Sequence, residues 1–165
     1  MLVKIKWQVI LYDTKHGTNR FGLKLGCFVG IDNNGVTRII AVSLLLNETK
    51  ASFNYIFNWF SSNFSFPNVI YTDGDQQMAS AIKSCFPCST HLLCTFHLYK
   101  NLFEKVRPAF IGKLNNWKNM SNMWWKLCKL SDSEGRKVFN NEWDKFMDYF
   151  NTFSDQSYKK VFIEK

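Results

Sequence analysis

The N-terminal part of the chain reads as three short strands. Apolar residues first alternate with polar ones, which is typical of a half-buried strand; they are Val3, Ile5, Trp7, Val9 and Leu11. Two further apolar runs, 21–31 and 36–46, flank a turn with the pair Asn34-Gly35. An Asn-Gly pair suits the positive φ angles of tight hairpins. The pattern therefore predicts an antiparallel meander of three strands.

Helices and strands then alternate along the chain. After Asn47, a predicted N-cap, apolar residues recur at the spacing of an amphipathic helix that ends near Asn63. They are Phe53, Ile56, Phe57 and Phe60. A short buried strand at 69–72 precedes a second helix and a fifth strand at about 92–96. The order strand, strand, strand, helix, strand, helix, strand predicts an α/β fold with a mixed sheet covered by helices.

From His97 onward the pattern predicts only helices. The first reaches Arg107-Pro108, and the third begins at a capping box at 131–134. Aromatic residues recur from Trp117 to Phe150 and could stack on bases, but their helical spacing favours a packed core. The exposed remainder supplies candidates for phosphate contact, namely Lys118, Lys126, Lys129, Arg136 and Lys137. We expect this region to be a helical insertion on the α/β part.

The composition describes one basic, aromatic-rich globular chain. Its 165 residues are 46% apolar and 17% aromatic, which is enough to form a core and excludes a disordered tail. The net charge of +8 favours nucleic acid or another polyanion as the partner. No apolar run approaches the roughly 20 residues of a membrane helix, and the N-terminus resembles a strand more than a signal peptide. We therefore expect a soluble, intracellular protein without a membrane partner.

Two carboxylates are candidates for chemistry because each closes a predicted strand. Asp13 ends the first strand and Asp73 ends the fourth. Acids at the ends of neighbouring strands can share hard divalent cations, which assist phosphodiester cleavage. Aspartate is also common in turns, so the pattern alone leaves both interpretations open. Asp75 is a weaker candidate ligand, because it lies farther into the turn and can cap the next helix.

A second candidate group contains cysteine and histidine. Cys94 and His97 follow Cys85 and Cys88 at spacings that could form a tetrahedral zinc site, with His91 between the pairs. Cys85 falls on an apolar helix face, however, and free cysteine is usually a small core residue. Gly22 and Gly26 fall inside the predicted second strand, so no phosphate-cradling glycine loop indicates an NTPase or a dinucleotide-binding protein.

The motifs resemble the transposase domain of Mutator-like elements, including the plant far-red-impaired-response proteins derived from them. The segment 18–26 after Asp13-Thr14 resembles the first catalytic block of this family, and Thr72-Asp73-Gly74-Asp75 resembles the second. Glu48-Thr49 resembles the helix between these blocks, and Cys94 with His97 matches the family's Cys-x-x-His element. The resemblance is nearly continuous from Val9 to about Leu102.

The resemblance implies a ribonuclease-H-like fold with a helical insertion before the last catalytic helix. It divides the chain into a partial catalytic core at 1–105 and a truncated insertion at 106–165. It implies that Asp13 and Asp73 are the first two acids of an Asp-Asp-Glu triad, which holds two Mg²⁺ or Mn²⁺ ions for cleavage and transfer of double-stranded DNA. Cys94 and His97 would be structural or close to DNA, and zinc is not expected.

The resemblance also leaves alternatives and gaps. No acid after His97 lies in a pattern suited to the third ligand, so we expect that carboxylate to be absent and this chain to be inactive alone. A domesticated, non-catalytic descendant that binds DNA or regulates transcription is the main alternative, and a zinc-dependent interaction module is another. By family resemblance, the full-length protein is expected in the nucleus, where it could form homo-oligomers.

Overall fold

The chain forms two compact units that divide between Cys94 and Thr95. The computed structural model describes residues 7–32, 34–130 and 135–153. In its described residues, the first unit contains five strands and two helices in the predicted order. They are β1 (Val9–Lys15), β2 (Lys24–Ile31), β3 (Thr37–Leu45), α1 (Lys50–Asn63), β4 (Val69–Thr72), α2 (Gln76–Cys85) and β5 (Thr90–Leu93).

The five strands form one mixed sheet in the order β3-β2-β1-β4-β5. The first three strands pair antiparallel, whereas β4 pairs parallel to both β1 and β5. The two helices supply the crossover connections that parallel strands require. This is a ribonuclease-H-like arrangement, and it confirms the predicted fold class.

The core of the first unit lies on one face of the sheet, beneath α1 and α2. Ile10 and Tyr12 of β1 are buried there with Phe28 of β2 and with the apolar faces of both helices. The predicted alternation had placed Val9 and Leu11 on the apolar face, yet both are only half-buried. Residues 9–12 are all apolar, so their pattern could not identify the core face of this central strand.

Several boundaries differ from the predicted ones. The N-cap of α1 is Thr49, whose hydroxyl accepts the Ser52 N–H, whereas Asn47 accepts hydrogen bonds from the Thr49 and Ser52 hydroxyls. The fifth strand ends at Leu93 instead of near residue 96. Gly22 lies in the loop before β2 with φ of +69°, outside the strand predicted to contain it.

The second unit contains only helices in its described part. They are α3 (Thr95–Val106), a 3₁₀ turn (Arg107–Phe110), α4 (Leu114–Lys129) and α5 (Gly135–Phe153). Trp117 and Trp124 are buried with Phe146 and Phe150, which confirms that this aromatic stripe packs against the unit's own helices. Val138 and Phe139 of α5 are exposed, so the predicted aromatic stripe is not buried along its whole length.

Two sequence predictions fall outside the described residues. They are the capping box at 131–134 and the start of the predicted first strand at 1–6. The division into a catalytic core at 1–105 and an insertion at 106–165 concerns function and stays a prediction. Among the helices in the described ranges, none is long and apolar enough to cross a membrane.

Candidate metal and nucleic-acid site

Asp13 lies inside β1, two residues before the strand ends at Lys15. The prediction that Asp13 closes the strand was therefore wrong. The antiparallel ladder with β2 continues through Lys15 and Leu25, but the parallel ladder with β4 stops at Leu11 and Tyr71. Because β4 is only four residues long, β1 extends beyond it. Asp13 is exposed in this extension.

Asp73 directly follows β4 and is half-buried. The parallel register ends at the pair Leu11 and Tyr71, and Asp13 and Asp73 each follow two residues beyond that pair. Neighbouring strands lie about 4.8 Å apart. Both aspartates are therefore at the same edge of the sheet, where the parallel pairing of β1 and β4 ends.

The turn after Asp73 is held by hydrogen bonds to carboxylates. Asp73 Oδ1 accepts the Asp75 N–H at 3.0 Å, and Asp75 Oδ1 accepts the Met78 N–H at 2.8 Å. Asp75 is thus the N-cap of α2, as its position in the sequence suggested. This contact engages one of its two carboxylate oxygens and fixes the start of α2 immediately after Asp73.

Thr72 and His91 support the same turn from the core side. The buried Thr72 hydroxyl lies 2.8 Å from His91 Nε2, and the Gly74 N–H donates to Thr72 Oγ1 at 3.4 Å. The Thr72 carbonyl accepts the Cys94 N–H at 2.7 Å, which ends the β4–β5 ladder. Burial lowers the pKa of His91, because it disfavours the charged imidazolium.

Glu48 is a site residue to which the sequence patterns gave no chemical role. Its carboxylate accepts a hydrogen bond from the Thr14 hydroxyl and lies 2.9 Å from His16 Nε2. It therefore ties the end of β1 to the start of α1, next to Asp13. Glu48 and Thr14 are 34 positions apart, so no local pattern could have joined them.

Within the described residues, the candidate zinc ligands of the Cys/His group are not gathered into one cluster. Cys85 is buried, and its thiol contacts the backbone carbonyl and the side-chain amide oxygen of Asn54. Cys88 is exposed, Cys94 follows β5, and His97 lies in the first turn of α3 in the other unit. Across the described ranges, no three His, Cys, Asp or Glu side chains are grouped closely enough to hold a metal ion.

The predicted phosphate-binding cations of the second unit are all exposed, namely Lys118, Lys126, Lys129, Arg136 and Lys137. Lys126 is engaged with a carboxylate, because its Nζ lies 2.6 Å from Glu142 Oε2. Lys145 contacts the other oxygen at 2.8 Å, and hydrogen bonds from Lys126 and Lys145 lower the pKa of Glu142. Glu142 is thus a half-buried partner of two lysines.

The donor chemistry of Asp13 and Asp73 fits a hard divalent cation. Mg²⁺ prefers oxygen ligands and is usually held by one or two carboxylates, with water and substrate phosphate completing its shell. Two aspartates at one sheet edge supply this number of protein ligands. Neither thiol nor imidazole contributes to that pair, so the donor set is the one expected for Mg²⁺ or Mn²⁺ and not for zinc.

Comparison with known proteins identifies the family to which the first unit belongs. A family model described as the MULE transposase domain matches residues 9–101, which include both aspartates and the whole sheet. This chain belongs to the MULE transposase domain family. The match ends within α3, so most of the helical unit lies beyond the part of the chain that the family model describes.

Curated relatives of this MULE chain come from Arabidopsis thaliana. FAR1-RELATED SEQUENCE 5 is 33% identical over 104 residues, covering 62% of this chain and 13% of the relative. The putative protein FAR1-RELATED SEQUENCE 10 is 26% identical over 90% of this chain and 21% of the relative. FAR-RED IMPAIRED RESPONSE 1 is 23% identical, and 18% of its length is covered. The chain thus spans a fifth or less of most of these relatives.

Among solved structures, the catalytic core domain of HTLV-2 integrase in complex with magnesium is similar to this MULE chain. The dimeric form is 17% identical with a TM-score of 0.38, covering 67% of this chain and 77% of that one. The trimeric form has a TM-score of 0.36, 14% identity and coverage of 87% and 84%.

Proposed function

We propose that this chain is the metal-binding part of a MULE transposase catalytic domain, which cleaves and transfers strands of double-stranded DNA. The strand register carries this proposal: β1 and β4 pair in parallel up to Leu11 and Tyr71, and Asp13 and Asp73 follow at equivalent positions. Membership of the MULE family supports the same function. Asp13 and Asp73 would be ligands of Mg²⁺ or Mn²⁺.

The protein's own contribution is to hold two negative charges at one sheet edge. When bound, the cation would stabilise charge on phosphate oxygens and activate a water molecule. Asp13 is held by the β1–β2 ladder, and Asp73 by the turn that begins α2. Glu48 fixes the end of β1 through Thr14, so the ligands are positioned by neighbouring contacts before a cation binds.

Manganese binding tests the proposal directly. We expect the 165-residue chain to bind Mn²⁺ in calorimetric titration at pH 7.5. Asp13→Asn and Asp73→Asn should each weaken binding by about tenfold or more, because each removes a charged oxygen ligand. Asp144→Asn is the matched control, since Asp144 is an exposed aspartate of α5 and its variant should bind like the wild type.

The outcomes distinguish a specific metal site at the two aspartates from non-specific attraction of the cation to acidic residues. Equal loss of binding in all three variants would indicate non-specific attraction of the cation, and unchanged binding in Asp13→Asn and Asp73→Asn would contradict the proposed site. Circular dichroism should show the same fold for each variant, because Asp13 is exposed and Asp73 is only half-buried.

The second candidate function is a domesticated, non-catalytic descendant that binds DNA or regulates transcription. The name of the relative FAR-RED IMPAIRED RESPONSE 1 favours it, since that name refers to a light response and not to transposition. A nicking assay separates the candidates. We expect no cleavage by this chain with Mn²⁺, because the described residues group no third acid with Asp13 and Asp73. Robust cleavage by the full-length protein that is lost in Asp13→Asn would favour the transposase.

The remaining family properties concern the whole protein. We propose a nuclear location and homo-oligomers for the full-length protein, and a structural or DNA-proximal role for Cys94 and His97. Membership of the MULE family supports these proposals. The net charge of +8 supports DNA as the partner, because neutralised phosphates release counterions on binding.

A further inference from the structure

The loop between β1 and β2 is strongly basic and lies beside Asp13. Residues 15–24 include Lys15, Arg20 and Lys24 and contain no acidic residue. In the described part of the chain, no ion pair engages any of these three cations. Lys15 and Arg20 are exposed and Lys24 is half-buried. The loop therefore presents uncompensated positive charge.

The loop has a defined conformation because one side chain organises it. Asn19 Oδ1 accepts the Phe21 N–H at 3.0 Å and the Leu23 N–H at 3.2 Å, and its amide donates to the Leu23 carbonyl at 2.8 Å. Gly22, with φ of +69°, completes the turn that these contacts close. Such preorganisation lowers the entropy lost when a loop binds a partner.

Phe21 is exposed at this loop. Its side chain is 70% exposed, and the Arg20 guanidinium carbon lies 4.9 Å from the ring centroid. An exposed aromatic ring next to cations is the combination that binds unpaired nucleic acid, since bases stack on the ring while the cations contact phosphates.

The geometry of β1 connects this loop to Asp13. Residues two apart in a strand project from the same face and lie about 7 Å apart. Lys15 therefore shares a face with Asp13, and a phosphate bound by Lys15 would be close to a cation held by Asp13. Lys24 begins β2, next to the residue that pairs with Lys15.

We propose that the β1–β2 loop is a DNA-contact surface, in which Lys15 and Arg20 bind backbone phosphates and Phe21 stacks on an unpaired base. The inference rests on the proposed function, because it assumes that DNA is the partner of the Asp13 edge. It assigns phosphate-binding cations to the first unit, whereas the sequence patterns had placed such cations only in the helical unit.

Fluorescence anisotropy with the full chain tests this proposal. The probes are a labelled blunt DNA duplex and the same duplex with a 3′ single-stranded extension. For Lys15→Ala/Arg20→Ala we expect the slope of log K against log salt to become shallower by about 1.8, because each lost phosphate contact removes about 0.9. The matched control Lys83→Ala/Lys105→Ala removes the same charge from exposed positions of α2 and α3 and should leave the slope unchanged.

Phe21→Ala tests the stacking contact separately. We expect it to weaken binding of the extended probe about tenfold while leaving the salt slope and the blunt probe unaffected, because stacking involves no counterion release. An equal change of slope in the control pair, or unchanged binding in both loop variants, would overturn the proposal, as would the absence of DNA binding by the wild type at low salt.

The DNA-binding experiment and the Mn²⁺ titration can fail separately, so the loop proposal and the metal proposal are tested independently. If the loop variants lose DNA binding but Asp13→Asn does not change Mn²⁺ affinity, the loop proposal stands and the metal proposal fails. If Mn²⁺ binding depends on Asp13 and Asp73 while the loop variants bind DNA like the control pair, the loop proposal alone fails.

Discussion

At the scale of single residues, the important contacts near the candidate site join positions far apart in the sequence. Glu48 reaches Thr14 and His16, and His91 reaches Thr72 across 19 positions. Local patterns could identify Asp13, Asp73 and the capping role of Asp75, since each lies at or near the end of an apolar run. They could not show which side chains hold those acids, because that depends on how separate elements pack.

His91 gives a pH dependence of stability. Burial lowers its pKa from the usual 6.5, so the folded chain binds fewer protons at this site than the unfolded chain. Stability should therefore fall as the pH decreases from about 6.5 towards the lower pKa of the folded state. Urea unfolding at pH 7.5 and 5.5 measures this loss.

His91→Gln is the control for this prediction. Glutamine can accept a hydrogen bond from the Thr72 hydroxyl but does not titrate. The variant should lose less stability than the wild type between the two pH values. Carboxylates with a lowered pKa, such as Asp32, change the stability only at lower pH, near their usual pKa of 3.8 and below. An identical pH dependence in both proteins would show that His91 is not the titrating group.

At the scale of elements, strand and helix types were predictable because apolar periodicity is local. The ends of the strands were less predictable, because hydrogen-bond pairing with neighbouring strands sets them. The predicted fifth strand was displaced, since the parallel register with β4 begins at Thr90 and ends at Leu93. In β1 the core face could not be read from four consecutive apolar residues, and the neighbouring strands and α1 decide it.

Close packing between three strands makes Gly26 a critical position. A Cβ at Gly26 would overlap the Tyr12 hydroxyl and Ser43 Oγ, which are 3.2 Å apart in a hydrogen bond. Burial of Tyr12 in this packing raises its pKa to about 12. The β1, β2 and β3 strands therefore meet at a point with no space for a side chain.

Gly26→Ala should lower the free energy of unfolding by about 1–3 kcal/mol, as overpacking in a core does. Tyr12→Phe in the same chain removes the nearest overlapping atom, so the double variant should lose less than the sum of the two single losses. Urea denaturation of all four proteins measures this coupling. Strict additivity would show that the Tyr12 hydroxyl is not the source of the strain.

At the scale of the whole molecule, the chain has an α/β unit followed by a helical unit, and the apolar periodicity predicted these element types. The aromatic stripe of the second unit forms its own core, so its tryptophans are structural. The positive charge is spread over both units, and for that reason the sequence alone could not select the β1–β2 loop over the helical lysines. That distinction required the contacts of Asn19 and the ion pair of Lys126.

The central claim is that Asp13 and Asp73 together hold a divalent cation. Anomalous diffraction from a crystal grown with Mn²⁺ tests it most directly, because the metal position is observed independently of activity. The account predicts an anomalous peak within about 2–2.5 Å of one carboxylate oxygen from each aspartate. A peak that contacts neither aspartate or only one of them, or no peak in a crystal with both side chains accessible, would contradict it.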